Sequence, residues 1–181
     1  MGNFELFAKP WWVNLLIFIP FLTFYFWRNK LNISKKTLFT AGIFGLAFGF
    51  VEASVVVYLR GAAGLLPVAS FSAHQSQILG QLPHLFFTVE FFREAATIVM
   101  LASIALLSAK FWRDRLAVFL WTFAFWDLFY YVALWATIRW PQSLTTSDVL
   151  FLIPSAWSSQ VWFPILISGF TALSVAFGRK K

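Results

Sequence analysis

Four of the seven acidic residues, Glu52, Glu90, Glu94 and Asp127, fall inside long apolar runs of the sequence, and Arg93 falls with them. An ionised side chain at the centre of a bilayer costs about 2.5–3.5 kcal/mol on insertion scales, so acids placed there mark a functional site by default. Their spacing groups them. Glu90 and Glu94 are i,i+4 and share a helix face, with Arg93 at i+3 from Glu90. Asp127 shares a face with Tyr130 and Tyr131, whose hydroxyls can hydrogen-bond carboxylates. Glu52 follows Gly45 by seven residues, at almost the same helical angle, beside a stripe of small residues (Gly45, Gly49, Ala53) of the kind that lets membrane helices approach closely. Glu52 is therefore expected to point into a helix–helix contact. The reading is one polar cluster with Arg93 as its counter-ion.

Several chemistries use such a cluster. Carboxylates suit a hard or intermediate divalent cation, with Glu52, Glu90, Glu94, Asp127 and His84 as the candidate ligands. The di-iron pattern of helical bundles needs Glu-x-x-His, and here Glu90 to Arg93 reads Glu-x-x-Arg, so that pattern fails at its histidine. His74 and His84 are the two histidines, and His84 sits roughly 120° off the face of Glu90. A b-type haem with two facing histidines is disfavoured further. Buried acids also build proton or cation pathways, although a carrier this small would need to oligomerise. Neither His-Glu-x-x-His nor Gly-x-Ser-x-Gly occurs, which argues against an intramembrane hydrolase. No catalytic motif is recognised, and whether the chain is an enzyme stays open. The structural alternative has Arg93 pairing with Glu90 and a neighbour, the cluster serving to set helix register. Phe86, Phe87, Phe91 and Phe92 suit a quinone, carotenoid or lipid groove, with plain lipid contact as the simpler reading. Glu5, Asp114 and Asp148 are assigned to ends and loops; Asp148 follows Thr145, Thr146 and Ser147 in a turn-like stretch and reads as a solvated or capping residue.

The elements that carry these residues follow from composition. Of 181 residues, 60% are hydrophobic and 12% charged, against about 45–50% and about 25% in soluble domains. A soluble globular protein and a disordered chain are both excluded. The chain has no Cys, which excludes disulfides, thiolate metal sites and iron–sulfur clusters. Five apolar runs, Trp11–Trp27, Leu38–Leu59, Leu85–Ala109, Leu116–Ile138 and Val161–Gly178, are long enough, or nearly so, to cross a hydrocarbon core of about 30 Å. Pro20 is expected to kink the first. That run is read as retained: its positive charge follows it, and no cleavage site closes it. Leu6 at the sixth position breaks the myristoylation pattern. Val149–Trp157, apolar but short and interrupted by Pro154, is read as interfacial or re-entrant. Residues 61–83 are read as an external loop. Trp11, Trp12, Trp27, Trp112, Trp135, Trp140, Trp157 and Trp162 lie near helix ends, where indole rings favour the headgroup level.

The net charge of +7 is explained by membrane topology and anionic lipid, with no nucleic-acid partner. The first loop holds Arg28, Lys30, Lys35 and Lys36, the third Lys110, Arg113 and Arg115, and the tail Arg179, Lys180 and Lys181; the opposite side holds Lys9, Arg60 and Arg139. This asymmetry predicts an N-terminus outside, a cytoplasmic C-terminus and an odd number of spans. The acids then lie about 8 to 17 Å below the outer edge, at 1.5 Å per residue. The expectation is an all-α, five-span protein of the plasma (inner) membrane. It binds a cation, proton or polar ligand through Glu52, Glu90, Arg93, Glu94, Asp127, Tyr130 and Tyr131. The alternative is a non-catalytic accessory subunit of a larger membrane complex, holding lipid, quinone or pigment on its aromatic surface; the expected partners are the lipid bilayer and either partner membrane subunits or further copies in a homo-oligomer.

Overall fold

The computed structural model describes residues 5–62 and 84–180, with side chains from Thr88 onward in the second stretch. The predicted external loop at 61–83 lies outside the described residues except for Gly61 and Ala62, which end a helix. A 3-10 helix over Trp11–Ile17 runs directly into α1 (Phe18–Trp27). Then come α2 (Lys35–Ala62), α3 (His84–Ser108), α4 (Trp112–Ile138), strands β1 (Ser147–Phe151) and β2 (Trp157–Gln160), and α5 (Trp162–Gly178). The chain is mostly helical, and α2, α3 and α4 are long and apolar enough to cross a membrane. The irregularity expected at Pro20 appears two residues earlier, as the change from 3-10 to α geometry at Phe18.

Local signals account for the helix ends. Ser34 Oγ accepts the backbone N–H of Thr37 at 2.9 Å, a side-chain cap on the first turn of α2. Asp114 stands in the first turn of α4, where a negative charge favours the helix dipole. Expected at an end or in a loop, it is buried and accepts the backbone N–H of Asn32 at 3.1 Å. α4 ends where Arg139 adopts a left-handed conformation, φ 57°, and donates its N–H to the Trp135 carbonyl, just before Pro141. Inside the helices, Ser54, Ser103, Ser108 and Thr122 each return their hydroxyl to the carbonyl four residues back. That satisfies the hydroxyls where lipid offers no partner.

α2 and α4 form the tightest seam. A Cβ built on Gly45 would lie 2.7 Å from the Thr122 carbonyl oxygen, and one on Gly49 would lie 2.6 Å from that of Trp126. Ala53 is buried on the same stripe, so small residues here let the two backbones touch. Trp121 Nε1 closes the seam by donating to the Leu38 carbonyl at 2.7 Å. α3 and α5 pack on α4, and α1 packs on α5, where Ser174 Oγ donates to the Pro20 carbonyl at 2.8 Å.

Two features depart from the sequence reading. The chain is not wholly helical. The region read as a single interfacial or re-entrant segment holds an antiparallel hairpin, with Ser147 opposite Gln160, Asp148 opposite Ser159 and Val149 opposite Ser158. Each arm is too short for a helix, and Pro154 between them has no N–H to give one. Pairing satisfies the backbone instead, and Lys9 extends it by exchanging two bonds with Ser158, at 2.8 and 2.7 Å. Secondly, not every terminal Trp faces a membrane surface. Trp27 and Trp140 are buried and belong to hydrophobic clusters. Trp11, Trp112 and Trp135 are exposed.

The end of the bundle away from the hairpin is tied together by backbone bonds. Lys30 and Leu31 donate to the Gly178 carbonyl at 3.0 and 2.9 Å, and Lys180 donates to Leu31. With the Asn32–Asp114 bond, this gathers residues 28–34, 111–114 and 178–180 at one place.

Candidate functional site

A cavity of about 220 Å³ lies between α2, α3, α4, α5 and the hairpin. Glu52 and Arg60 reach it from α2, and Glu90, Arg93, Glu94 and Thr97 from α3. Trp126, Asp127, Tyr130 and Tyr131 line it from α4, Asp148 to Leu152 and Trp157 from the hairpin, and Phe163, Ile167 and Ser168 from α5. All seven residues named from the sequence as binding candidates line this one space.

They do not form the single hydrogen-bonded cluster that spacing suggested. Arg93 carries one part. Its guanidinium pairs with Glu52 on α2 and with Glu90 one turn away, at 2.8 Å from Nε and 2.7 Å from Nη2. The second oxygen of Glu52 accepts Thr97 Oγ1 at 2.8 Å. Glu52 is 5% exposed, inside a helix–helix contact as expected, but its partners are on α3 and not across the glycine seam. A buried carboxylate held by a guanidinium and a hydroxyl has its desolvation offset twice.

The other acids have separate partners. Glu94 turns to the hairpin and accepts the backbone N–H of Leu152 at 2.7 Å. Asp127 accepts Ser168 Oγ of α5 at 2.7 Å. Tyr131 donates its hydroxyl to Asp148 at 2.9 Å, and so faces the hairpin and not Asp127. The helical geometry that puts Glu90 and Glu94 on one side of α3 holds, but they reach different neighbours.

Asp148 is the main correction. Read as a solvated or capping turn residue, it is 4% exposed and lines the cavity. Burial pushes its carboxyl up to about 6, against the opposing pull of the Tyr131 hydroxyl, the Arg60 guanidinium and the Val149 N–H. Arg60, counted in the sequence as an outer-side cation, is also buried; its guanidinium stacks 4.2 Å above the Trp140 ring. Thr97 and Ser168 were missed as well. Hydroxyls in apolar helices usually bond their own backbone, so nothing in the sequence separates these two from the rest.

Among the described residues no group of three or more His, Asp and Glu side chains is disposed to hold a metal ion. The side chain of His84 and all of His74 lie outside the described residues, as do the side chains of Phe86 and Phe87. Phe92 of the same stripe is exposed. The cavity thus combines carboxylates, two guanidinium groups and aromatic rings around one space. Comparison with protein-family models, with curated proteins and with solved structures found no match.

Proposed function

We propose that this chain is a small multi-pass membrane protein that holds a polar or cationic ligand in the cavity between its helices and hairpin. One observation carries the reading: five carboxylates (Glu52, Glu90, Glu94, Asp127 and Asp148) and two arginines (Arg60 and Arg93) converge on one cavity of about 220 Å³. Helix packing alone would be served by apolar residues of the same volume, often with a gain in stability. Charges retained around open space suit a bound partner that completes them. Native mass spectrometry with elemental analysis of gently purified protein tests this. The expected result is a retained small molecule or ion that is lost from an Asp127→Asn, Glu94→Gln double variant. Wild type and variant of identical mass excess would refute it.

The same reading has five spans, an external N-terminus and a plasma-membrane location. Support for the first of the two shorter spans comes from length. Seven 3-10 residues at about 2.0 Å each and ten α residues at about 1.5 Å each bring Trp11–Trp27 close to the 30 Å core. Support for sidedness comes from the gathering of the three basic segments at one end of the bundle. A reporter fused after Lys181 is expected to read cytoplasmic and one inserted near Ser72 external; a cytoplasmic reading at Ser72 removes the five-span topology. The accessory-subunit alternative rests on exposed aromatic side chains such as Phe18, Phe21 and Tyr25 of α1, which hydrocarbon tails cover equally well.

A further inference from the structure

We propose that the cavity binds an organic ammonium ion carried on an apolar body, with Glu94 and Asp127 as its counter-ions and the rings of Trp126 and Trp157 in its wall. This rests on the cavity being a binding site, and it names the class of ligand. Charge is the first argument. Arg93 is occupied by Glu52 and Glu90, and Arg60 lies close enough to Asp148 to favour its ionised form. Glu94 and Asp127 are in no ion pair among the described residues, and each shows one hydrogen bond, from a backbone N–H and from a serine hydroxyl. A cationic ligand would meet two carboxylates that no cation among the described residues pairs.

The walls are the second argument. Trp126 and Trp157 line the cavity together with Phe123, Phe151 and Phe163. Carboxylates beside aromatic faces are the surroundings that recognise an organic ammonium and not a hydrated metal ion, because the rings attract the cation while tolerating its alkyl groups. Trp126 is 8% exposed, and its indole N–H has no hydrogen-bond partner among the described residues; the Trp157 indole N–H is likewise unpartnered. A buried donor left unmade is unfavourable, and a ligand bearing an oxygen beside its ammonium would satisfy it.

Size is the third. A dry cavity of about 150 Å³ holds benzene, so about 220 Å³ accommodates a ring with a short amine arm, or an ethanolamine headgroup. A free amine and a lipid headgroup share this chemistry.

The test is calorimetric titration of the purified protein with phenethylammonium, its neutral counterpart 2-phenylethanol and the anion phenylacetate. It is run in nanodiscs of phosphatidylglycerol and, separately, of phosphatidylethanolamine. The cation is expected to bind, and the neutral and anionic probes to bind at least about tenfold more weakly. Asp127→Asn and Glu94→Gln are each expected to weaken the cation about tenfold. Both variants keep their hydrogen bond, since an amide carbonyl accepts from Ser168 or Leu152 as a carboxylate does. Leu107→Ala, exposed and remote from the cavity, should bind as wild type. If the wild-type preference over the variants persists in both lipids, the ligand is a free amine; if it collapses only in phosphatidylethanolamine, that headgroup already fills the site. Equal binding of phenylacetate, or carboxamide variants that bind the cation like wild type, overturns the ammonium assignment and leaves a binding cavity of another specificity. Absence of binding by every probe in both lipids overturns the ammonium assignment, while the binding reading stands or falls on the retained mass seen in native mass spectrometry.

Discussion

Between α2 and α4 two backbones are in contact, whereas on the cavity side α2 and α3 are joined by long polar side chains. The seam uses Gly45, Gly49 and Ala53, and at the two glycines a single added methyl group would collide with a carbonyl of the opposite helix. The cavity side uses Arg93, Glu52 and Thr97, which reach across from their helices and leave open space beside them. Without a hydrophobic drive in lipid, helices associate by close packing and by interhelical hydrogen bonds. This molecule separates the two means: packing where nothing needs to enter, polar bonds where a cavity is kept.

The largest expected effect breaks the polar side. Arg93→Ala strands two buried carboxylates and should cost about 3–5 kcal/mol, and Arg93 is only 24% exposed at its side chain, so solvent repays little of it. Arg93→Lys should recover part, since an ammonium lacks the planar fork whose Nε and Nη2 hold Glu90 while Nη1 pairs with Glu52. Melting curves in detergent for the three proteins decide this; if the alanine variant melts like wild type, the polar side does not hold the helices.

Next comes the packed side. Gly49→Ala should lose about 1–3 kcal/mol through overpacking, with ligand binding weakened only as far as the fold is. A melting temperature equal to wild type would mean the seam opens easily, and the contrast between the two sides would fail.

A smaller effect depends on pH. The Asp148 carboxyl is raised in the folded protein to about 6 from a reference of 3.8, so the folded state binds more protons between those values. Stability therefore falls as pH rises through that window and is level above it. Asp148→Asn removes the titration while retaining an acceptor for Tyr131. The variant should match wild type near pH 4 and exceed it by about 2–3 kcal/mol above pH 6. A constant difference across pH 4 to 7 would show that Asp148 titrates alike in both states.

The smallest effect is the control for the seam. Gly169 of α5 has nothing within 4 Å of a built Cβ, so Gly169→Ala should gain about 0.5–1 kcal/mol from helix propensity. The same substitution then has opposite signs at Gly49 and Gly169, measurable in one set of melts.

Much of the seam was legible in the sequence, because small residues at helical spacing have one use in apolar helices, which is close approach. The charged residues of α2, α3 and α4 were legible as a group because each is conspicuous against an apolar background. Their pairing was not. Glu90 and Glu94 differ by about 40° around a helix, and that difference sends one to Arg93 and the other to Leu152 of the hairpin. Asp148 and Arg60 were misjudged for a related reason. At the end of a run or in a polar stretch, a charged residue looks solvated; the fold-back of residues 147–160 carries Asp148 inward, and Arg60 lies over the Trp140 ring.

Sequence alone determined that the chain is apolar and mostly helical, that its helices follow its apolar runs, and that a handful of acids lie where charge is unfavourable. Those properties are local: hydrophobicity and helical period belong to neighbouring residues, and a bilayer requires each segment to satisfy its own backbone. Tertiary structure decided that Val149–Trp157 folds back in a hairpin, that Arg93 takes Glu52 and Glu90 while Glu94 and Asp127 stay without an ion pair among the described residues, and that these groups surround a cavity. Apart from the hairpin pairing and the Arg93–Glu90 pair, those depend on contacts between residues 41 to 58 positions apart, such as Glu52 with Arg93 and Glu94 with Leu152, and no local pattern records which distant partner a side chain meets.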